Sequence, residues 1–141
     1  MKKIEIFTDG SCLGNPGAGG WCAILKYKQH QKILKGHELN TTNNRMELLA
    51  VIKALEALKE PCEVELYSDS TYVLKGLNEW LDSWIKKDFK KVKNVDLWKK
   101  YIDVSKIHKI HVNWIKGHSG HTENEICDKI AREEATKAKK D

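Results

Sequence analysis

No stretch of this sequence stays apolar over the roughly 20 residues that a membrane-spanning helix needs, so no membrane association is expected. The start, Met1-Lys2-Lys3-Ile4, runs straight into a strand-like pattern and lacks a signal-peptide core, which makes the cytoplasm the expected compartment. Paired-cysteine spacing is missing as well. Cys12, Cys22, Cys62 and Cys127 form no C-x-x-C unit, and reduced thiols are expected rather than disulfides. There is no linker and no low-complexity segment. The 141 residues are therefore read as one domain, 1–141, with a frayed tail at about 137–141. The expected state is a monomer.

What the sequence does carry is positive charge. The net charge is +5 and the pI about 8.9, which suits a polyanionic partner. Lys86, Lys87, Lys90, Lys91 and Lys93 crowd one short segment, beside Trp80, Trp84 and Phe89. That run also fits a solvated surface with the two tryptophans in the core.

Ile4–Asp9 reads as a strand ending at Gly10, followed by a Gly-rich turn. Trp21–Tyr27 and Lys32–Leu39 read as two more strands, completing an antiparallel meander. Asn43–Lys59 has strong helix formers throughout, with Pro61 just beyond. Glu63–Ser68 is a strand. Leu77, Trp80, Leu81, Trp84 and Ile85 follow helical spacing, and Leu97, Trp98, Tyr101 and Ile102 mark another short helix. Ile110–Ile115 is the fifth strand. Thr122-Glu123-Asn124-Glu125 fits a capping box that opens a last helix to about Lys137. Strand–helix–strand crossovers imply an α/β fold with a mixed five-stranded sheet flanked by helices.

Four carboxylates stand where carboxylates are unusual. Residues 5–11 and 65–71 share one pattern: acid, aliphatic, aromatic, hydroxyl, Asp, small, hydroxyl. If the two strands are parallel neighbours, Asp9 and Asp69 lie side by side at the carboxyl edge, the usual ligand side of such a sheet. Turn or N-cap chemistry fits each Asp equally well. Glu47 falls in the stripe of Ala50, Val51, Ala54 and Leu58. Burial there is costly unless the carboxylate is paired or metal-bound, although the first turn of a helix also favours an acid. Asp128 borders the apolar face of the last helix, where an i, i+4 pair with Arg132 is the plainer reading. Carboxylates converging at one edge raise one another's pKa, and a divalent cation removes the repulsion. An oxygen-only set selects Mg²⁺, with Mn²⁺ as a substitute. Two such ions can serve phosphodiester hydrolysis.

The sequence resembles the type 1 ribonuclease H family in seven collinear pieces. They are Phe-Thr-Asp-Gly-Ser (7–11), Gly-Asn-Pro-Gly (14–17), Thr-Thr-Asn-Asn-Arg-Met-Glu (41–47), Tyr-Ser-Asp-Ser (67–70), Lys-Asn-Val-Asp-Leu-Trp (93–98), Trp-Ile-Lys-Gly-His-Ser-Gly-His (114–121) and Glu-Asn-Glu-Ile-Cys-Asp (123–128). The resemblance implies a three-layer ribonuclease H-like fold and an endonuclease that cuts the RNA strand of an RNA–DNA hybrid duplex. Products would carry a 5′-phosphate and a 3′-hydroxyl. By the same resemblance Asp9 would bridge two Mg²⁺ ions, Glu47 and Asp69 would complete the leaving-group side, and Asp128 would hold the ion that activates water.

The resemblance also makes His118 a mobile catalytic histidine, consistent with Gly117 and Gly120 around it. A zinc site built on His118-x-x-His121 with Cys127, or with His108 and His111, is the rival reading, but no paired thiols support it. Cys12, Asn15, Asn43 and Asn44 would line the minor groove, where the 2′-hydroxyl marks RNA. Asn43 and Asn44 also read simply as helix-cap residues. Thr42 and Asn94 would hold a phosphate of the DNA strand. Asn40 stands where the family often has Arg, which leaves that pocket less basic. Trp80, Trp84, Lys86, Lys87, Lys90 and Lys91 would form the basic protrusion, with Phe89 near a common Trp and Thr71 where many members have Gln. A non-catalytic hybrid-binding module of the same fold is the alternative function.

Overall fold

The computed structural model describes residues 1–115 and 122–140. Strands β1 (Lys2–Leu13), β2 (Gly17–Tyr27) and β3 (His30–Thr41) form the meander. Helix α1 (Asn43–Glu56) leads to β4 (Cys62–Ser68). Then come α2 (Thr71–Lys75), a π-helical turn (Gly76–Trp80), α3 (Leu81–Lys86), α4 (Val95–Ser105), β5 (Lys109–Trp114) and α5 (Thr122–Lys140). The sheet order is β3-β2-β1-β4-β5. The meander pairs are antiparallel, whereas β1–β4 and β4–β5 are parallel, so the sheet is mixed as expected.

Period-two alternation divides the sheet between two helical layers. Ile4, Ile6, Ala23, Leu25, Val64 and Leu66 pack with Leu48, Val51, Ile52 and Leu55 of α1 and with Trp98 and Tyr101 of α4. Their neighbours Phe7, Cys22 and Ile24 pack instead with Cys127 and Ala131 of α5. The central strands are therefore covered on both faces, which explains their continuous apolar runs. Among the described residues no helix is long and apolar enough to cross a membrane.

Several boundaries differ from the sequence reading. β1 does not stop at Gly10 but runs on to Leu13, paired with β2 through Leu13↔Ala18. Gly10 is a close-packing position: a Cβ there would lie 2.4 Å from Glu47 N and 2.5 Å from Met46 C of α1. The Gly-rich segment is thus mostly a hairpin with a three-residue connection, 14–16, in which Gly14 takes φ +77°. α1 ends at Glu56, three residues early. The single helix expected around Leu77–Ile85 is interrupted by the π turn. At the other end α5 continues to Lys140 and buries Ala138, where a frayed tail from about 137 was expected; residue 141 lies outside the described residues.

Candidate active site

Parallel pairing of β1 with β4 runs from Lys2↔Cys62 to Phe7↔Tyr67 and stops there. Two residues further along lie Asp9 and Asp69. β4 ends at Ser68, and a local network fixes the turn that follows. Ser70 N–H donates to Ser68 Oγ at 3.0 Å, and Ser70 Oγ caps α2 by accepting from Val73 N–H at 3.2 Å. Ser70 is therefore the helix cap, and Asp69 is not spent on that role. Asp9 lies inside β1, opposite Cys22, with its Oδ1 accepting from Gly10 N–H at 2.9 Å.

Glu47 reaches this point because Gly10 lets the first turn of α1 press onto β1. Oxygens of Asp9, Glu47 and Asp69 all lie within 4.8 Å of one another. Asp9 is 3% exposed and Glu47 5% exposed. At that spacing two ionised carboxylates repel by at least about 3 kcal/mol even at an effective dielectric of 20. Burial, opposed by the hydrogen bond to Glu47 and reinforced by the charge of Asp69, pushes the Asp9 carboxyl up to about 7. Burial and then the charge of Asp9 raise Glu47 well above the ordinary range. Glu47 Oε2 is also buried without a hydrogen-bond partner among the described residues. An orphaned buried oxygen in a cluster of acids is what a cation would satisfy.

A cleft of about 340 Å³ opens above these groups. Its walls include Asn43, Asn44, Ser70, Thr71, Tyr72 and Asp128 besides the three acids. The cleft thus brings together all four carboxylates singled out in the sequence. Asp128 stands outside the triad and makes the expected i, i+4 pair, Oδ2 to Arg132 Nη2 at 2.9 Å.

A sequence model of RNase H matches residues 1–136. This chain belongs to the RNase H family. It is 63% identical over 137 residues to a ribonuclease HI of Campylobacter jejuni, covering 97% of this chain and 94% of that protein. It is 60% identical over 137 residues to a ribonuclease HI of Helicobacter pylori, covering 97% of this chain and 96% of that one. The crystal structure of LC9-RNase H1, a type 1 RNase H with the type 2 active-site motif, superposes with a TM-score of 0.89 at 26% identity. That match covers 98% of this chain and 74% of the other. The RNase H family is metal-dependent, and the Asp9–Glu47–Asp69 group is where this chain could hold a metal.

The other residues that the family resemblance singled out fall into three places. Cys12 and Asn15 fasten the β1–β2 hairpin to the start of α1. The Cys12 thiol donates to Thr41 O at 3.4 Å, and Asn15 Oδ1 accepts from Asn43 N–H at 2.8 Å. Thr42 caps α1 by accepting from Arg45 N–H at 3.2 Å. Asn94, held at φ +60°, lies beside it through a link the sequence reading missed. Arg45 Nη1 donates to Asn94 Oδ1 at 3.2 Å while the same guanidinium forks onto Asp96 at 3.0 and 2.8 Å. Arg45 thus ties Asn94 to the start of α1, with its charge countered by Asp96. Nothing in the chain order marks a pair 51 residues apart.

The lysine segment forms the third place. Lys86, Lys87, Lys90 and Lys91 are all exposed, on a backbone turned by positive φ at Asp88, Phe89 and Lys91. Trp84 and Tyr72 floor a groove of about 280 Å³ beside Lys87, Lys90 and Lys91. Trp84 also packs on the fully buried Trp98, ring centroids 5.2 Å apart, so it serves core and groove together. Trp80 is half-buried against Trp84 and Tyr72 and does not line that groove. Tyr72 was also missed: it lines both the acidic cleft and the lysine groove, and its hydroxyl accepts from Asn94 and Trp98. His118, like the rest of residues 116–121, lies outside the described residues.

Proposed function

We propose that this protein hydrolyses the RNA strand of RNA–DNA hybrids, using two divalent metal ions held by Asp9, Glu47, Asp69 and Asp128. The observation that carries this reading is the buried acid triad within 4.8 Å, in a chain of the RNase H family. A module that only binds hybrids has no use for a cluster that destabilises its own core. Oxygen donors alone, with no thiolate or imidazole among the triad, favour Mg²⁺, with Mn²⁺ able to replace it. Bound there, such ions supply Lewis acidity and a water of lowered pKa, the chemistry of phosphodiester hydrolysis giving 5′-phosphate and 3′-hydroxyl ends.

The chain's own residues position the duplex. Asn43 and Asn44 reach the cleft from the first turn of α1, with Cys12 and Asn15 behind them, and face the minor groove of the hybrid. Thr42 and Asn94, tied through Arg45, hold a phosphate of the DNA strand. Tyr72 and Trp84 seat that strand beside the lysines, and Trp80 stiffens the seat. His118 moves a proton or helps the cleaved end leave. The protein acts as a monomer in the cytoplasm, without a membrane partner.

Incubation with labelled hybrid, duplex DNA and duplex RNA tests the activity. Only the RNA of the hybrid should be cut, and only with Mg²⁺ or Mn²⁺. Cleavage of duplex DNA, or of hybrid in excess chelator, rejects the reading.

The exposed lysines give a separable expectation. Replacing Lys86, Lys87, Lys90 and Lys91 together by Ala should raise KM at least about tenfold and leave kcat nearly unchanged, because lysine–phosphate pairing binds ground and transition states alike. Each phosphate that loses its lysine should flatten the log–log salt dependence by roughly 0.7–0.9. Steady-state kinetics across a salt series measures both. An unmoved KM and slope would make the segment a solvated surface.

A further inference from the structure

Asp128 lines the same cleft as Asp9, Glu47 and Asp69, and its charge is near enough to be felt at Asp9. Yet it stands outside the group whose oxygens lie within 4.8 Å of one another. Its Oδ2 is instead 2.9 Å from Arg132 Nη2, one turn further along α5. The side chains are unequally covered: Asp128 is 26% exposed and Arg132 64% exposed. Arg132 thus stands on the solvent side of the carboxylate and draws it away from the interior group. Arg132 also borders a groove shared with Lys129, Glu133, Lys137 and Lys140, a mixed set of charges in which Lys137 is already paired with Glu134 at 2.8 Å.

We propose that Arg132 is a positioning residue that latches Asp128 outside the triad and sets the affinity with which this fourth carboxylate joins a divalent cation. The inference rests on the four carboxylates being the metal site. A guanidinium and a cation compete for one carboxylate, so each weakens the binding of the other by the same factor. Without a cation the latch neutralises one of four like charges. With one, the ion pair has to open before Asp128 can contribute. The plainer alternative is an ordinary i, i+4 surface pair that supports α5 and has no bearing on metal.

Mn²⁺ titration calorimetry on the full chain separates the two. Arg132→Gln keeps helix propensity and removes the latch. It should tighten Mn²⁺ binding about 2–5-fold, equivalent to about 0.4–1 kcal/mol at 1.4 kcal/mol per tenfold. In an Asp128→Asn background the same substitution should change nothing. Unchanged affinity in the first case means a surface pair and overturns the proposal. Weaker binding overturns it too, since Arg132 would then present Asp128 to the metal. Equal tightening with and without Asp128 overturns it in favour of long-range charge. If Asp9→Asn and Asp128→Asn both leave Mn²⁺ binding untouched, the carboxylates are not the metal site, and the underlying reading falls with the latch. Melting temperatures of the metal-free variants verify folding in every arm.

Discussion

Asp9→Asn is expected to abolish hybrid cleavage while raising the melting temperature of the metal-free protein. The substitution keeps the oxygen that accepts from Gly10 N–H at 2.9 Å and removes only the charge. In the folded chain the Asp9 carboxyl is raised to about 7, first by burial, against an ordinary value of 3.8. The folded state therefore holds a proton that the unfolded state releases at lower pH. Stability that is present below about pH 4 is lost progressively as pH rises, and fully lost above about 7. At 1.4 kcal/mol per pKa unit the penalty has an upper bound of about 4 kcal/mol, which the variant escapes. A gain of about 5–10 °C at pH 8 without metal is expected, shrinking toward pH 4. Saturating Mg²⁺ should reverse the order, because only the wild type gains a counterion for Glu47. Thermal melts at both pH values, with metal and with chelator, measure this. Wild-type cleavage by the variant would sink the metal reading. A lower metal-free melting temperature at pH 8 would show that the cluster is not frustrated.

Gly10→Ala should damage both fold and activity, although it touches no functional group. The added Cβ meets backbone at 2.4 and 2.5 Å, Glu47 N and Met46 C, so no side chain can swing aside. The start of α1 has to lift from β1. Overpacking of this kind costs about 3 kcal/mol, a fall of roughly 10 °C. Glu47 moves with the backbone it is attached to. A misplacement of about 1 Å at a reacting centre can cost about 100-fold in rate, so kcat should drop by that order in the protein that still folds. A variant with wild-type kcat and wild-type melting would mean that α1 does not depend on this close approach.

The same glycine shows where sequence reading succeeded and where it stopped. Gly10 reads as punctuation, so the strand is expected to end there. In three dimensions it is a point of close packing, and β1 continues three residues past it. Local pattern cannot distinguish a glycine chosen for its dihedral angles from one chosen for its missing Cβ. Glu47 was legible because an acid in an apolar stripe violates the helix's own periodicity, and the structure buries it. The spacing of Leu77, Trp80, Leu81, Trp84 and Ile85 marks the helical segment but not the π turn within it, because one extra residue per turn barely disturbs that pattern. Arg45–Asp96 and the place of Tyr72 between cleft and lysine groove depend on α1, α2 and α4 meeting, which only the tertiary fold determines. Asp128 shows the i, i+4 pair with Arg132 that its spacing marked, and its place on the cleft wall comes from the docking of α5.

The four carboxylates arrive from β1, α1, the end of β4 and α5, spread from residue 9 to residue 128. Synthesis from the N-terminus therefore delivers three of them well before the last. α5 also covers Phe7, Cys22 and Ile24, and Gly20 is bare because Ala131 O would sit 2.2 Å from a Cβ there. Until that helix emerges and docks, one face of the central strands is open and the cleft lacks a wall. During synthesis, assembly of the cleft therefore waits on α5, although the other three carboxylates are already in the chain.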